Sequence, residues 1–251
     1  MTRRWSDRVK RLVAATVVFA AAAGATTVLG SDGAASRGRW AFVDAAALED
    51  LGLVAHGSRG GSWGMEDHEP ATGGRALANH RGEPGARPAV LVAAESRSHD
   101  LRARTRCKVV GAPMLAVTRM RSSASCGVVF RFLDDRNHWV VRANTGAGAV
   151  EAATVVGGKE YVVARAPMVE AAGMGNWIDL DVEVRGDVVR VALGGRPALV
   201  ADASTAPAAF GAVGLWAPSE AEVLFDHFAF ETLTPAPRAL EILPLLGRRS
   251  G

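Results

Sequence analysis

Three features of the sequence predict an all-β chain folded as a two-layer antiparallel β-sandwich. Short apolar runs alternate with polar residues at period two, turn residues punctuate them at short intervals, and hardly a helical period occurs after residue 56. The strongest single stretch is residues 126–144, CGVVFRFLDDRNHWVVRAN, where two apolar-alternating runs flank Asp134-Asp135-Arg136-Asn137, residues that favour a turn over a strand. Folding about that turn sets Phe132 opposite Trp139, Phe130 opposite Val141 and Val128 opposite Ala143, with Arg131 and Val129 facing Val140 and Arg142. One face is then wholly apolar and the other mixed and basic. A lone hairpin is only marginally stable, so the apolar face must be buried against a second sheet.

The chain has 251 residues and 49% apolar composition, enough for a full core in one large domain with tails. It begins with the basic head MTRRWSDRVKR and continues with an uncharged stretch over residues 12–31. That layout reads as a secretory signal, with Ala23-Gly24-Ala25 as small residues at a cleavage point. The alternative is an uncleaved anchor, since about 20 uncharged residues can also cross a bilayer. The expected organisation is a signal peptide or anchor over 1–30, a spacer over 31–39, the sandwich over 40–231, and a proline-containing tail over 232–251. Membrane contact is expected only through the leader, and the domain itself outside the cytoplasm. Residues 1–25 hold five basic side chains and one acid, so removing that net +4 from the total of +3 leaves about −1. A near-neutral domain has no field to collect polyanions, which excludes nucleic acid as a partner.

After the spacer, residues 40–55 suggest a strand followed by a short helical turn. Residues 57–87 shift to Gly, Pro, Arg and His and read mostly as loop, with short strands near 63–66 and 75–79. Residues 89–94 form a short apolar strand. Residues 100–110 alternate Leu101, Ala103, Thr105 and Cys107 with Arg102, Arg104 and Arg106. A second apolar run at 114–120 has no evident neighbour. Beyond the central hairpin, residues 149–156 and 161–166 join through Gly157-Gly158-Lys159-Glu160, a hairpin signal. Residues 177–185 and 188–193 join at Gly186-Asp187, and Gly194-Gly195-Arg196 turns into 198–201. Strands at 212–217 and 222–230 close the series. Arg185-Gly186-Asp187, which also reads as an adhesion tripeptide, sits where a two-stranded turn needs glycine.

Cys107 and Cys126 are the only cysteines, and in an exported chain such a pair is expected to be bridged. Setting them opposite each other in one sheet also brings Thr105 to Val128, Ala103 to Phe130 and Leu101 to Phe132. The bridge would contribute about 3 kcal/mol.

Four stretches in order, GVVFRFLDDRNHWVVRAN (127–144), VVGGKEYVVARA (155–166), NWIDLDVEVRGDVVRVALGGRPAL (176–199) and FGAVGLWAPSEAEVLFDHFAF (210–230), resemble the concanavalin A-like jelly roll. Within it they resemble the bacterial 3-keto-disaccharide hydrolase-like domains with laminin G-like relatives. The resemblance implies an extracytoplasmic domain with a sheet face that meets carbohydrate. By strand alternation Arg131, His138, Arg142 and Asn144 share the face opposite the Phe130/Phe132/Trp139 core, where guanidinium and amide groups can bond sugar hydroxyls. The alternative is a solvated sheet face of arginine–carboxylate pairs. Trp216, in GLW, also matches the family pattern and reads as core.

The enzymatic candidates are Asp179, Asp181 and Glu183, which alternation puts on one side of a strand. They resemble the Glu-x-Asp-x-Glu strand of laminarinase-type retaining glycosidases, implying a nucleophile and an acid/base at the outer positions. The first position here is Asp, shorter for spanning the ~13 Å between α-carbons four strand residues apart. The competing reading is an acidic face paired with arginines of adjacent strands. The first expectation is therefore non-catalytic carbohydrate binding. The alternatives are a glycoside or 3-keto-disaccharide hydrolase, with Arg131 and Arg142 or the three acids at its site, and a structural or partner-binding domain. No cofactor is expected. His56, His68 and His80 lack ligand spacing, no metal centre is expected from them, and Asp226 is the one position where related folds contribute to a calcium site.

Overall fold

The unbroken alternation of LRARTRCKVVG becomes, in three dimensions, a strand with one dry and one wet side. The structure is a computed structural model, and it describes residues 36–42, 52–57, 59–68, 71–112, 124–168, 173–204 and 210–233. In chain order the described strands are β1 (Arg37–Ala41), β2 (Leu53–His56), β3 (Gly61–Asp67), β4 (Arg75–Arg81), β5 (Ala89–Ala93), β6 (Leu101–Gly111), β7 (Ser125–Asp134) and β8 (Asn137–Asn144). They continue with β9 (Ala149–Val156), β10 (Lys159–Pro167), β11 (Ile178–Arg185), β12 (Val188–Leu193), β13 (Arg196–Asp202), β14 (Ala212–Ala217) and β15 (Glu222–Thr232).

These strands form two antiparallel sheets. The larger has eight strands in the order β13-β12-β11-β6-β15-β4-β3, with β1 paired to β15 beside β4; the smaller has seven, in the order β10-β9-β8-β7-β14-β5-β2. Leu101, Ala103, Cys107 and Val109 of β6 and Leu180, Val182 and Val184 of β11 point inward from the larger sheet. They meet Cys126, Val128, Phe130, Trp139, Val141 and Val150 of the smaller sheet in one buried cluster. Phe130 stacks on Trp139 with ring centroids 5.9 Å apart. Burying such side chains is the main favourable term, about 1.5–3 kcal/mol for each large one.

The hairpin turns follow the sequence closely. Asp134 accepts from the Arg136 amide at 2.7 Å and from the Asn137 side chain at 3.0 Å, closing the β7–β8 turn. Gly157 and Gly158 both take positive φ, 60° and 88°, which a two-residue hairpin turn between β9 and β10 requires.

Several expectations are corrected. The disulfide forms, S–S 2.06 Å, but it joins β6 of the larger sheet to β7 of the smaller one rather than two neighbours in one sheet. Alternation places both cysteines on an inner face and is silent on which sheet each belongs to. The β7–β8 register is also different: Phe130 pairs with Trp139 and Val128 with Val141, because three residues of β7 stand against His138 alone. Arg131 in that bulge has φ 47°, the one left-handed non-glycine among the described residues. The bulge rotates Phe132 out of the central core into a second cluster with Val129, Val140 and Trp216 on the outer side of the smaller sheet. Strand β1 begins at Arg37, inside the expected spacer, and pairs with β15 from Arg37 opposite Glu231. The segment 57–87, expected mostly as loop, contains the seven-residue strands β3 and β4, paired from Gly61↔Arg81 to Asp67↔Arg75. The leader, the helical turn expected within 43–51, the run at 114–120 and most of the tail lie outside the described residues.

Candidate functional site

The outer side of the smaller sheet carries most of the residues that alternation assigned to a polar face. Cross-strand register lines up Trp216, Gly127, Arg142 and Glu151 on β14, β7, β8 and β9. Gly127 is the key to that row: a Cβ there would stand 2.2 Å from the Val141 carbonyl oxygen. Without a side chain at that position the Arg142 guanidinium reaches over the Trp216 ring, with Cζ 5.4 Å from its centroid. Arg142 donates from Nε to Glu151 at 2.8 Å and from both terminal nitrogens to Glu160 at 2.8 and 2.9 Å. Burial by itself would weaken the guanidinium's hold on its proton, but the bonds to Glu160 and Glu151 outweigh it and raise its pKa above the ordinary arginine value. Arg142 and Glu151 are each 5% exposed and Trp216 2%. This is a closed network of the kind that fixes strand order.

The remaining members of the expected sugar face are equally occupied. Arg131 does not lie on that face: its side chain is buried at 1% exposure, and Nη2 donates to the Gly186 carbonyl in the β11–β12 turn of the other sheet. Burial lowers its pKa against the pull of Asp187 and Asp100. The left-handed backbone of the bulge is the reason, since it redirects the side chain across the end of the sandwich. Asn144 accepts from the Ala147 amide at 3.0 Å and caps its own turn. His138 donates from Nδ1 to the Asp134 carbonyl at 3.2 Å, while its buried Nε2 has no partner among the described residues. Burial pushes its pKa down, against the bond to Asp134 and the charges of Asp135 and Glu160, so the ring is neutral.

The outer side of the larger sheet is open instead. There β6 and β11 run side by side with Asp179↔Arg106, Asp181↔Arg104 and Glu183↔Arg102 in register. Each acid is paired: Glu183 with Arg102, Asp181 with Arg104, and Asp179 with Arg106 at 3.9 Å. The hydrogen bond from Arg102 holds the Glu183 carboxyl below its usual range, so it is ionised. The acid expected as a catalytic pair member is therefore neutralised by a cation and unsuited to proton donation. Two grooves flank this ladder, one of about 340 Å³ lined by Arg102, Arg104, Asp181, Glu183, Pro197 and Val200, and one of about 380 Å³ lined by Arg37, Arg39, Arg102, Arg104, Ala229 and Glu231.

Asp226 does not fit a cation site. Its carboxylate accepts from the Thr72 amide and hydroxyl, both at 2.8 Å, and from Arg106 at 3.1 Å, so a guanidinium already supplies the positive charge. Among the described residues no group of three His, Cys, Asp or Glu side chains could hold a metal. His68 lies edge-on to Trp177, which also lies under Arg106 and Lys108; His80 pairs with Glu66, and His56 packs on Phe132.

Sequence reasoning missed Glu151, Glu160, Arg37 and Arg39. Glu151 had a legible signal, a lone acid in the apolar run AVEAATVV, whereas Arg37 and Arg39 fell in a stretch too small and polar to read as a strand.

No known family profile matches this sequence, and comparison with curated proteins finds no match. Solved structures do share the fold. A carbohydrate binding module, CBM66 from Bacillus subtilis, aligns with TM-score 0.55 at 15% identity over 72% of this chain and 96% of that one. A Bacillus subtilis protein of unknown function with a galectin-like fold aligns with TM-score 0.55 at 11% identity, over 79% and 96%. A carbohydrate esterase from the Shiga toxin-encoding bacteriophage phi24B aligns with TM-score 0.50 at 16% identity, over 78% and 98%. At such identities the likeness is one of fold: a lectin-like β-sandwich spanning nearly the whole of each neighbour.

Proposed function

We propose that the chain is an exported, non-catalytic carbohydrate-binding sandwich that takes glycan on the outer side of its larger sheet. The observation carrying this reading is the set of guanidinium and carboxylate groups held at solvent on rigid strands, beside grooves of about 340 and 380 Å³. Paired in this way, Arg102, Arg104, Asp181 and Glu183 offer planar donors and acceptors at set angles to sugar hydroxyls. Val200, 66% exposed, and Pro197 give an apolar edge on which the C–H surface of a ring can rest. Grooves of this size stand at the small end of ligand sites, suiting one or two sugar units. The sandwich shared with a carbohydrate-binding module supports the reading, and the Cys107–Cys126 bridge with the signal-like residues 1–30 supports export. The pairing of all three acids, Asp179, Asp181 and Glu183, with arginines of the neighbouring strand supports binding over hydrolysis.

The test is a glycan array probed with the full chain, followed by a reducing-end assay on whatever is retained. Retention of at least one glycan class with no new reducing ends is expected. A blank array would remove the binding function, and release of reducing ends would transfer the site to the hydrolase reading.

A further inference from the structure

The register of β1, β15 and β6 on the open side of the larger sheet contains one row that is complete and one that is not. In the complete row Glu231 stands between Arg37 and Arg102, paired in register with both, and bonds Arg37 at 3.0 Å. Two residues back along β15, Ala229 stands in the same way between Arg39 and Arg104. Strands two apart in a sheet are separated by about 10 Å, so two arginine stems rise on either side of a methyl group. Arg104 turns its guanidinium the other way to Asp181, and Arg39 is exposed with no ion pair among the described residues. In the row through Glu231 an acid stands between each pair of arginines, Glu231 between Arg37 and Arg102 and Glu183 between Arg102 and Arg190; in the row through Ala229 Asp181 stands beside Arg104, but no acid stands between Arg39 and Arg104. The groove of about 380 Å³ lies over this place.

We propose that the slot above Ala229 receives a carboxylate of the bound glycan, which makes the ligand an acidic polysaccharide containing uronic acid units. This rests on the glycan-binding reading above and names its substrate class. The ligand carboxylate stands where Glu231 stands one row over and completes the ladder between Arg39 and Arg104. A charge-assisted bond to a guanidinium is stronger than a neutral one and has the fork geometry a carboxylate fits. The sugar ring lies along the groove toward Phe230 and Gly38.

The experiment is a calorimetric titration of the full chain with an oligogalacturonate, its fully methyl-esterified form, and the neutral glycans bound on the array. Three chains are compared: wild type, Arg39→Ala and Ala229→Glu. The last builds the missing carboxylate into the protein and completes the second row internally, so it should fold normally while occupying the slot. The wild type is expected to bind the acid form at least about tenfold more tightly than the ester, with affinity falling as salt rises. Arg39→Ala and Ala229→Glu should each lose at least about tenfold for the acid form, so that the preference for acid over ester disappears in both. Equal affinity for acid and ester, or undiminished acid binding by Ala229→Glu, would overturn the slot while leaving glycan binding intact. Failure of every glycan, neutral and acidic, would overturn both readings.

Discussion

Both sheets are woven from the same kind of alternating run, yet the larger turns a charged side to solvent while the central strands of the smaller are buried on both sides. β6 and β11 alternate buried with open positions, whereas β8 and β9 are buried along almost their whole length. The same residue types consequently do different physical work. On the larger sheet Arg104 pairs with Asp181 at side-chain exposures of 61% and 30%, where water competes for both groups. On the smaller sheet Arg142 and Glu151 are each 6% exposed as side chains, and protein groups, Glu160 for the arginine and Arg165 for the glutamate beside their bond to each other, satisfy them in place of water. An arginine facing solvent remains available to a ligand; an arginine locked between two glutamates holds strands together. This difference moves the binding face from the residues that alternation favoured to the opposite sheet.

Breaking the closed network should have the largest effect. Arg142→Ala leaves the buried Glu151 with only the half-exposed Arg165, 3.5 Å away, as its cation and is expected to cost about 3 kcal/mol in urea unfolding. Replacing Arg142 and Glu151 together by Met should recover much of that, because the penalty belongs to the orphaned charge. A cost under about 1 kcal/mol for the single change would erase the distinction between the sheets. Next comes the link between them. Cys107→Ala with Cys126→Ala should cost about 3 kcal/mol, and chemical reduction of the wild type should lower its unfolding free energy in urea by the same amount.

A smaller effect is expected from pH. The folded state holds His138 neutral, with a pKa below the ordinary value of about 6.5, so the unfolded chain takes up a proton first as pH falls. Stability should therefore be level above about pH 7 and decline below about 6.5, by at most about 1.4 kcal/mol per unit from this group. In His138→Gln the slope between about pH 5 and 7 should shrink. The smallest effect belongs to the open ladder. Arg102→Ala and Arg104→Ala should each change stability by less than about 1 kcal/mol, with the difference shrinking further in high salt. The Arg102–Glu183 contribution is present above the ordinary glutamate pKa and lost as pH falls through the lower folded value.

Alternation and turn chemistry made most of the architecture legible. The Gly157-Gly158 turn, the Gly186-Asp187 turn, the strand at 212–217 and the pairing of the two cysteines all follow from local residue choice. Period-two patterning states which side of a strand is dry, but not which sheet the strand joins. That is why Cys107 and Cys126 were expected as neighbours and instead link the layers. It also assumes an even pleat, and the three-residue bulge at Arg131 breaks that assumption, sending Phe132 to one side and the arginine across the end of the sandwich. Nor does alternation tell whether an outward side is covered, so His138, Arg142 and Asn144 read as a solvent face although each is buried. The pairing of Asp179, Asp181 and Glu183 with the arginines of β6 was within reach, since both strands show the right period and opposite charge. Arg39 was not, because a strand of RGRWA has no alternation long enough to register.

The contrast between the two sheets can be read directly by labelling the native full chain with phenylglyoxal and locating modified arginines by peptide mass spectrometry. Arg39 and Arg104 should react in the folded protein and be shielded when glycan binds, while Arg131 and Arg142 stay unmodified until denaturant is added. Modification of Arg142 in the native state at the rate of Arg104 would contradict the sealed face and, with it, the assignment of binding to the larger sheet.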